Sequence, residues 1–74
     1  MKPGILWFDD DPQADLSMKV NRALEYVKQK YGKRPRLCFV HPSLVKKKIL
    51  MENGLEVRAN RTILPNHFWL ELMI

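Results

Sequence analysis

One cysteine, Cys38, stands among the 74 residues, so an internal disulfide and a cysteine-based zinc cluster are excluded. The three glycines, at positions 4, 32 and 54, stand alone, and no glycine-rich loop of the kind that cradles phosphates is present. No apolar run approaches the roughly 18–20 residues that span a membrane. Met1-Lys2-Pro3-Gly4 leads into only four apolar residues before Asp9, short of the roughly 7–15 that form the core of a signal peptide. The expectation is a soluble cytoplasmic protein with no membrane partner. His41, Ser43 and an aspartate supply the residue types of a nucleophilic triad, but no Gly-x-Ser-x-Gly elbow or oxyanion loop accompanies them.

What is present is a globular composition: 46% hydrophobic and 28% charged, with two Trp, three Phe and two Tyr. Disordered chains are poor in these aromatic and aliphatic residues. Residues 1–74 make one small domain. At this size only about 60% of the unfolded chain's surface is buried on folding, which leaves a marginal core.

The net charge of +5 is unevenly placed. Residues 1–18 hold Lys2 against Asp9, Asp10, Asp11 and Asp15, a net of −3. Residues 19–48 carry ten Lys and Arg against Glu25, a net of +9, and residues 49–74 carry −1. The basic middle offers Lys33, Arg34 and Arg36 around one connector and Lys46, Lys47 and Lys48 further on as candidate polyanion contacts. Three consecutive lysines on a helix cover about 200° of its circumference, so they do not converge on one ligand. Tyr31, beside Lys33 and Arg34, is the one aromatic placed to stack on a base. The alternative for these cations is a solvated surface.

Ile5-Leu6-Trp7-Phe8 is a continuous apolar run with no alternation, the pattern of a strand covered on both faces in a parallel sheet. Leu16, Val20, Ala23, Leu24, Val27 and Tyr31 follow at helical spacing, with Asp15 as N-cap and Gly32 just beyond the end. Arg36–Val40 reads as a second strand, ended by His41-Pro42. Residues 43–54 fit two forms. A helix would use the stripe Leu44, Val45, Ile49 and Leu50. A hairpin would pair residues 48–52 with 55–58 across Asn53-Gly54. The helix is preferred, since it would hand over at Gly54 to a strand at Leu55–Ala59. Phe68–Ile74 is a last apolar strand that completes the core or adds to a partner's sheet. These elements predict an α/β fold: a small single-layer, mainly parallel sheet in βαβαβ(β) order with one long amphipathic helix packed on it.

Parallel first and second strands would end at one sheet edge, where open α/β sheets keep their ligands. Asp9, Asp10, Asp11, His41 and Ser43 are therefore the candidate ligand or metal site. Carboxylates there suit Mg²⁺, and His41 would serve as acid/base or draw a transition metal. His67 is a further candidate partner of His41, and Cys38 is expected to be a buried, inert thiol.

The segment Ile5–Pro12 resembles the opening of a response-regulator receiver domain, in which a strand ends in an acidic pair that binds Mg²⁺. No aspartate follows Asp15, so the phospho-acceptor implied by that resemblance is missing. The wider set Trp7-Phe8-Asp9-x-Asp11-Pro12, Tyr31-Gly32-x-x-Pro35, Val40-His41-Pro42-Ser43 and Leu64-Pro65-Asn66-His67-Phe68-Trp69 is similar to a group of short bacterial proteins of unknown function, and implies no activity.

Three functional readings follow. The first is a small binding or assembly module acting through protein contacts, as a homo-oligomer or with a protein partner. The second is a nucleic-acid-associated basic protein. The third is a metal-assisted enzyme with a divalent cation at Asp9, Asp11 and His41.

Overall fold

The computed structural model describes residues 3–51 and 53–72. Its elements run β1 (Gly4–Phe8), α1 (Leu16–Tyr31), β2 (Leu37–Val40), β3 (Ile49–Leu50), β4 (Glu56–Ala59) and β5 (His67–Glu71). The five strands form one sheet in the order β1-β5-β2-β4-β3.

Helix α1 lies where the apolar spacing puts it. Asp15 is extended, and its carboxylate accepts the Met18 N–H at 2.9 Å. Gly32 closes the helix at φ 63°, its N–H donating to the Lys28 carbonyl at 3.0 Å. A left-handed residue at this position favours glycine because a Cβ would clash with the backbone. Val20, Ala23, Leu24 and Val27 form the buried face.

The sheet corrects the expected mainly parallel βαβαβ(β) order. Only β2 and β4 pair in parallel; β1 with β5, β5 with β2, and β3 with β4 are antiparallel. β1 and β2 do point the same way, as expected of strands flanking a helix, but β5 lies between them. The physical reason is burial. Phe68 and Leu70 of β5 are the largest strand side chains with no exposed surface, and a central position between β1 and β2 removes them from water completely. The terminal segment therefore completes the core and presents no edge to a partner. Met73 and Ile74 of the expected strand lie outside the described residues.

The second expected helix is also corrected. Residues 42–44 turn, and the chain then enters the β3–β4 hairpin. Ile49 pairs with Val57 and Leu50 with Glu56, and the Met51 N–H donates to the Leu55 carbonyl at 2.8 Å. Gly54 sits at φ 86°. With Met51 opposite Leu55, the loop is one residue longer than a two-residue Asn-Gly turn and uses Gly54 as its left-handed residue. A helix over 43–53, closed by Gly54, would have had about three turns, too short to stand on its own propensity.

Val20, Ala23 and Val27 of α1 pack with Cys38, Val40, Val57, Phe68 and Leu70 of the sheet, and Ile5 and Trp7 lean on the same cluster. Paired residues share a face, so α1 covers the side that carries these residues. Among the described residues no helix or strand covers the other side.

Candidate contact surface

The uncovered side is built by the alternate residues of the same strands. Across β1, β5 and β2 the register sets Leu6 opposite Trp69 and Trp69 opposite Phe39, a row that crosses three strands. A second row begins with Phe8 opposite His67, their rings 5.0 Å apart. Continuing the β2–β5 register by one step brings His41 opposite His67. Leu37 extends the apolar area towards the other end of β2. Leu6 and Phe8 are 56% and 55% exposed, and Leu50 of β3 is 73% exposed. The Trp69 indole folds over Gly4, and its N–H is buried with no hydrogen-bond acceptor among the described residues.

Charge enters this face at β4, where Arg58 lies opposite Phe39 and Glu56 opposite Leu37, and at the end of β5. Glu56 and Arg58 of β4 form an ion pair, with Lys48 3.9 Å from Glu56, and Glu71 ends β5. The excess positive charge of the chain lies elsewhere. Lys33, Arg34 and Arg36 precede β2, whereas Lys46, Lys47 and Lys48 lead into β3, which runs opposite to β2. The two basic groups therefore approach the sheet from opposite strand ends. Tyr31, the expected stacking partner, has the Lys30 ammonium 5.7 Å from its ring centre. That ammonium also hydrogen-bonds the Tyr26 hydroxyl at 2.9 Å, which raises its pKa above the ordinary lysine value.

Asp9, Asp10 and Asp11 follow β1 and His41 and Ser43 follow β2 at the same end of the sheet, but β5 separates the two strands, and Asp9 and Asp11 are engaged within the chain. Arg22 of α1 reaches Asp9 at 3.3 Å and Asp11 at 3.0 Å. Asp9 also caps the turn by accepting the Asp11 N–H, and Asp11 accepts the Gln13 N–H. The Gln13 amide and the Arg22 guanidinium hold the Asp11 carboxyl below its ordinary value. Asp10 is exposed beside them. His41 Nδ1 accepts the Ser43 N–H at 3.1 Å and lies 2.8 Å from the Ser43 hydroxyl. With an amide donating to Nδ1, the proton of the neutral ring sits on Nε2. His67 has the opposite arrangement: its Nδ1–H donates to the Pro65 carbonyl at 2.8 Å, leaving Nε2 as the acceptor. Ser43 and His41 are thus tied in a local turn. Among the described residues, no three His, Cys, Asp or Glu side chains come together as a metal set.

Cys38 is buried between strands, and burial pushes its thiol up to about 12. A groove of about 710 Å³ runs between the start of α1 and the β3–β4 hairpin, lined by Leu16, Ile49, Leu50 and Met51 with Asp15 and Asn21. Comparison with family models, curated proteins and solved structures returns no match.

The open face is the feature that sequence reasoning missed. Its signal was available in β1, where Trp7 and Ile5 alternate with Leu6 and Phe8. An uninterrupted apolar run reads equally well as a strand covered twice or as one with a greasy outer face. Among the described residues no helix is long and apolar enough to cross a membrane.

Proposed function

We propose that this chain is a self-associating contact module, and that a second copy covers the open face of its sheet. The observation that carries the reading is the row Leu6–Trp69–Phe39, exposed at Leu6 and half-buried at Trp69 and Phe39, with exposed Phe8 beside it. Contiguous apolar patches of more than a few hundred Å² mark interaction sites on soluble proteins. Two sheets packed face to face bury such rows between them, about 10 Å apart. A whole side of a body measuring 29 × 26 × 22 Å presents roughly 600–750 Å², at the lower end of the roughly 600–1,000 Å² per partner of a standard interface.

The charge distribution favours a second copy over a nucleic acid. Aromatic side chains on an open sheet are also how single strands are stacked, but such platforms are lined with cations that follow the phosphates. Here Glu56 and Glu71 balance Arg58 and Lys48, and both cations lie beside Glu56. A cytoplasmic setting belongs to the same reading, since a free buried thiol is at home in a reducing compartment.

Sedimentation analysis across a concentration range tests the proposal. Wild type is expected to run as an oligomer, and Phe39→Lys, which places a charge in the centre of the face, is expected to lower the mass at the same concentration. A concentration-independent monomer overturns the reading. Binding to a single-stranded oligonucleotide that weakens steeply with salt, together with a monomer mass, would assign the face to nucleic acid instead.

A further inference from the structure

The two edges of the sheet are built differently. β3, at one edge, has only two residues and is entered through Lys46-Lys47-Lys48. Short edge strands and lysines are the usual means of blocking further pairing. β1, at the other edge, has five residues, and Gly4–Phe8 contains no charge and no proline.

The hydrogen bonds at the two ends of β1 determine which of its backbone groups face outward. The Asp9 N–H donates to the Asn66 carbonyl at 2.9 Å, and the Leu72 N–H donates to the Pro3 carbonyl at 2.8 Å. These odd-numbered positions are the hydrogen-bonded pairs of the β1–β5 ladder, so Ile5 and Trp7 direct their backbone groups at β5. Gly4, Leu6 and Phe8 then direct theirs away from the sheet. No turn, loop or side chain among the described residues takes them up. Leu6 and Phe8 are also the exposed side chains of the strand.

We infer that β1 pairs antiparallel with β1 of a second copy, about a two-fold axis at Leu6. The inference rests on the self-association reading for the identity of the partner, but the contact is a different one. A strand joined to its own copy about a two-fold must offer the same groups on both sides. Only the register that sets Leu6 opposite Leu6 and Gly4 opposite Phe8 engages all three outward residues on both strands. Each hydrogen-bonded pair exchanges two bonds, so the three pairs form about six. This register also fits the side chains. Phe8 of one copy lands beside Gly4 of the other, which brings no side chain of its own and is already overlaid by Trp69. An aromatic beside a strand glycine covers the backbone that the glycine exposes. The result is a continuous ten-stranded sheet with both open faces on one side. Its axis is normal to the sheet, so this contact and face-to-face packing are compatible in one assembly.

Disulfide trapping tests the register. Cα atoms of a directly opposed hydrogen-bonded pair lie about 5.5 Å apart, within the roughly 4.4–6.8 Å that a disulfide spans. Leu6→Cys is expected to form a covalent dimer under mild oxidation, with Cys38 left in place as a buried thiol. Phe8→Cys is expected to form at least tenfold less, because the two Phe8 positions are offset by four residues along the strands. Equal trapping at both positions, or none at Leu6, overturns the inference. Leu6→Pro gives a second readout. It removes the outward N–H while the bonds to β5 remain, a substitution that edge strands accommodate, and is expected to halve the mass of any assembly joined through β1. Because Leu6 also belongs to the open face, Leu6→Ala, which keeps the N–H, is the control and is expected to keep the wild-type mass. The two proposals fail separately. If Leu6→Pro leaves the mass unchanged while Phe39→Lys lowers it, edge pairing is wrong and the face reading stands. If Phe39→Lys leaves the mass unchanged while Leu6→Cys cross-links, the face reading is wrong and edge pairing stands.

Discussion

The indole of Trp69 lies across the α-carbon of Gly4. A methyl group added at Gly4 would come within 2.7 Å of Cε2 and 2.8 Å of Nε1 of that ring, and within 2.6 Å of the Leu70 carbonyl oxygen. Part of this contact is backbone and cannot swing aside. Gly4→Ala is therefore expected to destabilise the fold by about 1–3 kcal/mol, the usual range for overpacking. Thermal or denaturant unfolding checks it. Gly32→Ala is the informative contrast. Nothing beyond the adjoining backbone lies within 4 Å of a Cβ there, so its cost is that of a left-handed alanine alone, about 1 kcal/mol.

How far the sequence foretold this arrangement differs by level. Helix α1 was legible because spacing, N-cap and terminal glycine all point to the same boundaries, and each is a local property. The shared direction of β1 and β2 followed from the helix between them, but the adjacency of Asp9 and His41 did not, since β5 lies between the two strands. The place of β5 was not legible. Strand order depends on which pairing buries most apolar surface, and residues 67–71 meet residues 4–8 only after the whole chain has folded. The hairpin at Asn53-Gly54 was visible as a turn signal but competed with a weak helical stripe of four residues. At the candidate site, the acids were legible as a cluster. The pairing of Asp9 and Asp11 with Arg22 was not, because it forms only once α1 has packed on the sheet.

Arg22 and Asp11 make a pH prediction whose sign can be worked out. Asp11 accepts the Gln13 N–H at 2.9 Å and Arg22 Nη1 at 3.0 Å, and these lower its folded pKa below the ordinary 3.8. A carboxyl with a lowered folded pKa contributes stability above its unfolded value, and that contribution is lost as pH falls through the folded one. The difference in stability between wild type and Arg22→Ala is thus expected to be present at neutral pH and to narrow below pH 3.8. The pair is exposed, so the difference is also expected to shrink with added salt. An NMR titration of Asp11 should move up in Arg22→Ala, but not fully to the ordinary value, since the Gln13 amide remains.

Cys38 provides a probe of global unfolding. Its side chain has no exposed surface, and burial raises its thiol to about 12. A thiol reagent acts on the thiolate, so at pH 8 modification of the native protein is expected to be at least a hundredfold slower than in denaturant. Its rate should follow opening of the core. Fast labelling of the native state would show that β2 opens locally.

The β3–β4 hairpin is held by few contacts, and they can be removed singly. β3 pairs through Ile49 and Leu50 alone. The loop is closed by the Gly54 N–H donating to the Met51 carbonyl at 3.0 Å and by Asn53 Oδ1 accepting the Leu55 N–H at 3.0 Å. One further bond, Asn53 Nδ2 to Asn21 Oδ1 at 3.2 Å, ties the loop to α1. Gly54→Ala forces a side chain into φ 86° at a cost of about 1–2 kcal/mol. Loss of the hairpin exposes Val57 on β4 but leaves β1, β5 and β2 paired. The expected outcome is therefore local. Hydrogen exchange should accelerate at Met51 and Leu55 by about tenfold or more, the factor that each 1.4 kcal/mol carries when exchange proceeds by local opening. Amides of β5 should change little. Uniform acceleration across the sheet would show instead that the hairpin unfolds only with the whole domain, and that two paired residues suffice to couple it to the core.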